Sequence, residues 1–125
     1  MPEISNFREY FDGLTDKSKH ESLPPDRPKS LKEMYYKCVD MIDKDIIVDR
    51  KKQYGNNFPA IASLWSQFLE EYYGVKIEIN PAVASYMMAL MKVSRLLNSP
   101  DHKDSQIDLI NYLHIAFNYD EYENS

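Results

Sequence analysis

The sequence predicts a small all-α fold, a four-helix arrangement with an N-terminal amphipathic arm and at most one short extended segment at 75–79. Apolar residues recur at spacings of three and four over four long stretches, as they do on the buried face of a helix. Glycines, or an Asn or Ser followed closely by proline, separate these stretches and are typical of helix ends and starts. Only VKIEI at 75–79 alternates apolar and polar residues, and the chain offers it no second strand.

Residues 1–29 are predicted to form an arm and a linker outside the helical domain. Four apolar residues recur at helical spacing between 4 and 14, which predicts a short amphipathic helix. Residues 15–29 are polar and contain three prolines, a composition that buries little apolar surface. We therefore expect the helical domain, residues 30–117, to fold without the arm.

The first two domain helices are predicted from their termini. Ser30 and Glu33 have the spacing of a capping box, in which each side chain binds the other residue's backbone amide. An apolar stripe follows to about residue 52, and Gly55 ends it. Asn57, Phe58 and Pro59 then start a helix that continues to residue 73, where Gly74 is expected to stop it.

The last two helices are predicted over 81–97 and from 99–101 to residue 117. Asn80-Pro81 repeats the pattern of a cap followed by proline, and apolar residues surround most of the helix that follows. We therefore expect helix 81–97 to be the central and most buried one. The acidic tail, residues 118–125, is expected to fray.

Composition excludes several classes of protein. The net charge of −5 gives no strong nucleic-acid signal, and three glycines are too few for a Rossmann or P-loop phosphate site. Cys38 is the only cysteine, so no internal disulfide forms, which fits a reducing cytoplasm. No apolar run approaches the roughly 20 residues of a membrane span. Residues 1–12 mix polar and aromatic side chains, so we expect neither a signal peptide nor a membrane partner.

The first candidate site joins a cation pair to a carboxylate pair. Lys92 and Arg95 are three residues apart on one predicted helix, and Asp104 and Asp108 are four apart on the next. A short turn would fold these helices antiparallel. One interpretation is a structural ion-pair network, which the residues alone favour. The other is a site where the two aspartates hold Mg²⁺ and a cation meets a phosphate.

The second candidate site is the basic run at 50–57, RKKQYGNN. It is typical of a helix C-terminus with a glycine cap, and that interpretation is the simpler one. Alternatively, Arg50 grips a phosphate and Tyr54 stacks on a base.

No catalytic residue is predicted. Glu70 and Glu71 are adjacent and point about 100° apart, so they cannot line one site together. His102 and His114 lie far apart in sequence, and a single cysteine gives no zinc pattern. No serine has the context of a hydrolase nucleophile.

About half of the chain, from Arg50 to Tyr112, resembles a family of small helical proteins of unknown function seen mostly in bacteriophages and prophages. The residues that carry the resemblance are Arg50, Tyr54-Gly55, Phe58, Ile61-Ala62, Trp65, Pro81, Val83-Ala84, Met87 to Lys92, Arg95, Asp104, Asp108 and Tyr112. Their order is similar, more distantly, to the nucleotide-modification-associated domain. That domain in turn resembles the all-α, MazG-like nucleoside triphosphate pyrophosphohydrolases.

This resemblance implies a phage origin, an all-α fold and nucleotide handling. MazG-like enzymes hold Mg²⁺ with a Glu-x-x-Glu and a later Glu-x-x-Asp on facing helices. Glu70-Glu71 and Asp104-Asp108 match neither spacing, so the resemblance implies nucleotide binding without hydrolysis.

We therefore predict a phage-encoded helical protein of nucleotide-associated ancestry that binds a nucleotide or phosphate ligand with little or no turnover. The predicted ligand-binding residues are Arg50, Tyr54, Lys92 and Arg95, with Mg²⁺ at Asp104 and Asp108. The alternative is a non-enzymatic phage protein that binds a host or phage protein and inhibits a host defence or replication factor.

The predicted self-association is a homodimer. VKIEI at 75–79 is a lone strand-like segment that could pair with a second copy. Tyr72 and Tyr73 precede it, and the aromatic residues of the arm would be buried well at the same interface.

Overall fold

The computed structural model describes residues 31–125, together with Phe7 and Phe11. Its elements in chain order are α1 (Leu31–Lys37), a 3₁₀ turn (Val39–Met41), α2 (Lys44–Tyr54), α3 (Phe58–Tyr73), α4 (Pro81–Asn98), α5 (Lys103–Phe117) and α6 (Tyr119–Glu123). The predicted all-α class is confirmed, and no strand occurs in this part of the chain. None of these helices is long and apolar enough to cross a membrane.

The helix predicted from residue 30 to about 52 is two helices with a 3₁₀ turn between them. The break is fixed by Asp43, whose carboxylate accepts a hydrogen bond from the Ile46 N–H at 3.1 Å and caps α2. The Asp43 N–H in turn donates to Asn111 Oδ1 on α5 at 2.9 Å. A distant side chain therefore holds the chain in a non-helical conformation where the apolar pattern alone predicts a continuous helix.

The predicted boundaries of α3 and α4 agree with the structure. The Asn80 side chain accepts a hydrogen bond from the Val83 N–H at 2.9 Å, and proline occupies the first turn of both helices. Gly55 and Gly74 follow α2 and α3 with φ values of 70° and 67°. Only glycine adopts such angles without steric strain, so both helices end where the sequence predicts.

The segment at 75–79 forms a connection without regular structure, not a strand. The Ile79 side chain is buried, and its N–H donates to Ser66 Oγ on α3 at 2.8 Å. This hydrogen bond attaches the end of the connection to the helix before it.

The central helix is α5, not α4 as the sequence predicts. Seven residues of α5 are buried, whereas α4 leaves Val83, Met87, Leu90 and Met91 exposed. α5 packs extensively along α4, and α3 packs on α4. The apolar residues around α4 led to the wrong prediction because a helix apolar on all sides is usually buried on all sides.

The buried apolar side chains form two clusters. The first joins α1, α4 and α5 and consists of Phe7, Phe11, Leu31, Met34, Tyr35, Cys38, Ala89, Val93, Leu96, Leu109, Ile110 and Leu113. The second lies between α3, α4 and α5 and consists of Phe58, Ala62, Ile79, Ala84 and Ile115. Two members of the second cluster, Phe58 and Ile115, also line the cavity described below.

Two residues of the N-terminal arm belong to the first cluster. Phe7 and Phe11 are 4% and 0% exposed, and their ring centroids are 5.6 Å apart. The rest of the helix predicted over 4–14, and the linker at 15–29, lie outside the described residues. Because both rings are buried, loss of the arm would remove apolar contacts from this cluster. That the helical domain folds without the arm stays a prediction.

The acidic tail contains the short helix α6, where the sequence predicts fraying. The Lys51 ammonium group donates to the backbone oxygens of Tyr122 and Ser125 at 2.6 and 2.9 Å. The Tyr122 ring packs against Phe58 with centroids 5.8 Å apart. A cation at a helix C-terminus and a buried aromatic contact therefore attach the tail to the domain.

Candidate ligand-binding site

A cavity of about 280 Å³ lies between α2, α5, α6 and the start of α3. Its polar lining residues are Arg50, Lys51, Tyr54, Asn57, Asp108 and Asn111. Its other lining residues are mainly apolar or aromatic and include Ile46, Ile47, Phe58, Tyr112, Ile115 and Tyr122. A mostly apolar cavity with a few convergent polar groups is the usual form of a small-molecule site.

An ion-pair chain connects α4, α5 and α2 beside this cavity. Lys92 Nζ lies 3.1 Å from Asp108 Oδ2, and both side chains are 16% exposed. Arg50 Nη2 lies 3.8 Å from Asp108 Oδ1, and the Arg50 side chain is 54% exposed. Lys92 is thus the close partner of the carboxylate. The Arg50 guanidinium makes only a long contact and keeps donors available at the mouth of the cavity.

These charges leave an excess of positive charge at the cavity. Asp108 carries one negative charge between the two cations Lys92 and Arg50. The mouth therefore favours an anionic group, although the chain as a whole is acidic.

Asn111 presents a hydrogen-bond donor without a partner. The residue is 5% exposed, and its Oδ1 accepts from the Asp43 N–H at 2.9 Å. This bond fixes the orientation of the amide, because only the oxygen can accept. Nδ2 is then buried with no hydrogen-bond partner among the described residues. An orphaned buried donor costs about 1–3 kcal/mol, so an acceptor that came within reach of Nδ2 would recover this cost.

Two tyrosines and a phenylalanine form the aromatic wall. Phe58 lies edge-on to Tyr112 and to Tyr122, with centroid distances of 6.3 and 5.8 Å. Burial raises the pKa of Tyr112, the negative charge of Asp108 raises it further, and Arg50 lowers it. Burial also raises the pKa of Tyr122. Both hydroxyl groups therefore remain protonated near neutral pH and can donate hydrogen bonds.

Tyr54, the last residue of α2, lies at the mouth of the cavity. Its side chain is exposed, at 66%. The Gly55 N–H donates to the Lys51 carbonyl at 2.8 Å and closes the last turn of the helix. The sequence RKKQYGNN is therefore a glycine-capped helix end, and it also supplies two cations and an exposed ring to one cavity. The two interpretations of this run are compatible.

The structure brings together some of the predicted site residues and separates others. Arg50, Tyr54 and Asp108 line the cavity, and Lys92 reaches it through Asp108. Arg95 on α4 and Asp104 in the first turn of α5 are exposed and do not line it.

The sequence reasoning missed Asn111 and Tyr122. Asn111 lies three residues after Asp108 on α5, so helical spacing could have placed it on the same face. Tyr122 had no comparable signal, because its position depends on how the tail folds back.

The predicted Mg²⁺ ligands do not form a donor set that suits the ion. Both oxygens of Asp108 face cations, and Asp104 is exposed one turn away. No group of three or more His, Cys, Asp or Glu residues that could hold a metal occurs in residues 31–125. We therefore assign no chemical step to a metal at this site.

Residues 37–120 match a family described as a domain of unknown function, DUF6378. The chain belongs to the DUF6378 family. The match covers every residue that lines the cavity except Tyr122. No curated protein and no solved structure matched the chain. The DUF6378 assignment agrees with the predicted resemblance to a family of unknown function, and it does not extend to bacteriophages or MazG-like proteins.

Proposed function

We propose that this DUF6378 protein binds a small aromatic anion, of the size of a nucleoside monophosphate, in the cavity between α2 and α5. The observation that carries the proposal is the unpartnered, buried Nδ2 of Asn111, a residue that lines a mostly apolar cavity together with Arg50. A volume of about 280 Å³ lies near the lower end of the roughly 300–1,000 Å³ usual for ligand sites, which suits a ligand of this size.

Each part of the cavity suits one part of such a ligand. The apolar wall around Phe58 and Ile115 accommodates a planar ring, and Asn111 Nδ2 donates to a carbonyl or ring nitrogen of that ring. Arg50 binds the phosphate at the mouth through its free donors. Tyr54 offers its exposed ring at the mouth, where it can cover the part of the ligand that lies outside the apolar wall.

The proposal is binding with little or no turnover. Asp108 is engaged by Lys92 at 3.1 Å, so its carboxylate serves to position cations and not to activate water. A bacteriophage origin and an ancestry shared with MazG-like proteins are part of the same proposal. They are supported by the residue order from Arg50 to Tyr112 alone.

A thermal-shift panel tests the proposal. Nucleoside 5′-monophosphates, the corresponding nucleosides and inorganic phosphate are each added to the wild type, Arg50→Ala and Lys52→Ala. Lys52 is the matched control, because it is an exposed cation on α2 that does not line the cavity. We expect a monophosphate to raise the melting temperature of the wild type and of Lys52→Ala.

The shift should be at least halved in Arg50→Ala, and phosphate or nucleoside alone should give smaller shifts. The proposal is wrong if no member of the panel stabilises the wild type. It is also wrong if Arg50→Ala responds as Lys52→Ala does.

The alternative function is inhibition of a host protein, and one observation favours it. Tyr73, Val75 and Ile77 are 63%, 45% and 51% exposed at the end of α3 and in the connection after it. Such a cluster is typical of protein interfaces. Capture of one host protein by the wild type, lost when these three residues are changed to serine, would support inhibition in place of ligand binding.

A further inference from the structure

One face of α3 exposes a stripe of apolar side chains. Leu64, Phe68 and Tyr72 follow one another at a spacing of four residues and are 62%, 52% and 71% exposed. The Phe68 and Tyr72 rings stack with centroids 5.4 Å apart, which gives the stripe a flat aromatic end. No charged residue occurs in the chain between 58 and 69.

The next helix, α4, exposes a second apolar stripe. Val83, Met87, Leu90 and Met91 are 42%, 36%, 45% and 53% exposed. They lie on the side of α4 that faces away from the helix contact with α5. No charged residue occurs between 79 and 91, so this side of α4 presents no charge before Lys92.

Helical spacing places the two stripes on the same outer side of the pair formed by α3 and α4. α3 and α4 are joined by a short connection and pack on each other, with Ala62, Ala84 and Met88 in the cluster between them. In an antiparallel pair of right-handed helices, Leu64 and Phe68 then lie on the same side of this contact as Met87 and Met91. We call this surface the α3/α4 face.

The α3/α4 face is large for a monomer. Its seven exposed side chains present on the order of 700 Å², if a fully exposed side chain of this kind offers about 150–250 Å². The largest apolar patch on a typical monomer is about 300–600 Å². A standard protein interface buries about 800 Å² on each partner.

We propose that the α3/α4 face binds a second copy of the chain, so that α3 and α4 of both copies form a four-helix layer about a two-fold axis. The area matches one side of a standard interface, and an uncharged face complements its own copy without ion pairs. The chain's own linker is an unsuitable occupant, because Leu23 is the only large apolar residue in 15–29. This interface differs from the dimer predicted through 75–79, and it is independent of the proposed ligand.

The test is the mass of the full chain in solution, by light scattering and sedimentation at micromolar concentrations. We expect twice the 14.7 kDa of one chain for the wild type. Leu64→Glu combined with Met91→Glu places four negative charges across the interface, and we expect the monomer mass. Both side chains are exposed in one copy, so circular dichroism should show unchanged helix content.

Val48→Glu is the matched control, since Val48 is 51% exposed on α2, away from this face. It should remain dimeric, with a dissociation constant within about threefold of the wild type. The proposal is wrong if the wild type is a monomer. It is equally wrong if that monomer captures a different protein through this face. A double variant that stays dimeric overturns it as well, because association then uses another surface.

Discussion

Asp108 lies at the junction of three helices, and its side chain connects the candidate site to the fold. It neutralises the largely buried Lys92 at 3.1 Å and contacts Arg50 at 3.8 Å. Asp108→Ala leaves the Lys92 ammonium group without its close carboxylate. Loss of a partner from a buried charge pair costs about 3–5 kcal/mol, and the 16% exposure of both groups reduces this to about 2–3 kcal/mol. Chemical denaturation should show that loss.

Asp104→Ala provides the control for this experiment. It removes a second aspartate from the same helix, one turn earlier and in an exposed position. Only the favourable interaction with the helix N-terminus is lost, at a cost below about 1 kcal/mol. Equal losses for the two variants would show that the pair with Lys92 contributes nothing particular to stability.

Cys38 should be inert in the folded protein. Burial raises the pKa of its thiol from 9.0 to about 11, so at pH 8 the reactive thiolate is about 100-fold scarcer than in the unfolded chain. We expect modification by a disulfide reagent at pH 8 to be at least 100-fold slower in the native protein than in denaturant. A comparable rate in both states would contradict the burial of this side chain.

The raised pKa of Cys38 also makes the free energy of unfolding depend on pH. The neutral thiol of Cys38 is favoured in the folded state, so its contribution to stability is present below pH 9. That contribution is lost as the pH rises from 9 towards 11, because the unfolded chain releases this proton first.

Single residues of the site were predictable where their chemistry is visible in the sequence. Arg50, Tyr54 and Asp108 are polar or aromatic groups at helical spacing, and the structure places all three at one cavity. The orphaned amide of Asn111 was not predictable, because it depends on a hydrogen bond from Asp43, 68 residues earlier. A sequence pattern carries no information about which donors lack a partner.

The short helix α6 is attached to α2 through Lys51. Lys51 donates to backbone oxygens at the end of this short helix and lies 4.8 Å from the centre of the Tyr122 ring. Lys51→Met removes charge-assisted hydrogen bonds, each worth about 1.5–3 kcal/mol. Amide hydrogens of 119–123 should then exchange at least tenfold faster, whereas the exposed neighbour Lys52→Met should leave their exchange unchanged. Unchanged exchange in both variants would show that α6 does not depend on Lys51.

The second prediction about an element of the fold concerns the N-terminal arm. Phe11 is fully buried in the cluster of α1, α4 and α5. Phe11→Ala therefore creates a cavity and should cost about 3–5 kcal/mol of unfolding free energy. Deletion of 1–29 should destabilise the rest of the chain to a similar or larger degree. A truncated chain as stable as the full one would contradict this result and support the sequence-based expectation of a domain that folds without the arm.

The ends of the helices were predicted better than the burial of their faces. The caps at Asn80, Gly55 and Gly74 are local signals, and the structure has helix boundaries at all three. The break between α1 and α2 depends on the contact between Asp43 and Asn111, and the pattern within the segment does not show it. The apolar pattern predicts α4 as core, whereas the structure leaves four of its apolar residues exposed, because the pattern does not distinguish a buried face from an exposed apolar face.

The whole molecule has two surfaces that a simple helical domain does not require. One is the cavity at Arg50 and Asn111, and the other is the α3/α4 face. None of the seven residues of the α3/α4 face lines the cavity, so variants at one surface should leave the other unchanged. Leu64→Glu with Met91→Glu should therefore become monomeric and keep its response to a nucleoside monophosphate.

The all-α class followed from periodicity and caps alone, because these depend on neighbouring residues. Which helix lies at the centre did not follow from the sequence, since it depends on which apolar faces meet in the folded chain. The same limit applies to function. Sequence spacing predicts a carboxylate pair at Asp104 and Asp108, whereas the structure engages Asp108 with two cations and leaves Asp104 exposed.

The central claim is that a ligand enters the cavity and accepts a hydrogen bond from Asn111. The most direct test is a titration of ¹⁵N-labelled protein with a nucleoside 5′-monophosphate, in which the side-chain amide signals of Asn111 are followed by NMR. We predict that both Asn111 Nδ2 proton signals shift with a saturable dependence on concentration, together with the backbone signals of Arg50 and Tyr54. Saturable shifts confined to other parts of the chain, or no saturable shift at millimolar ligand, would contradict the account.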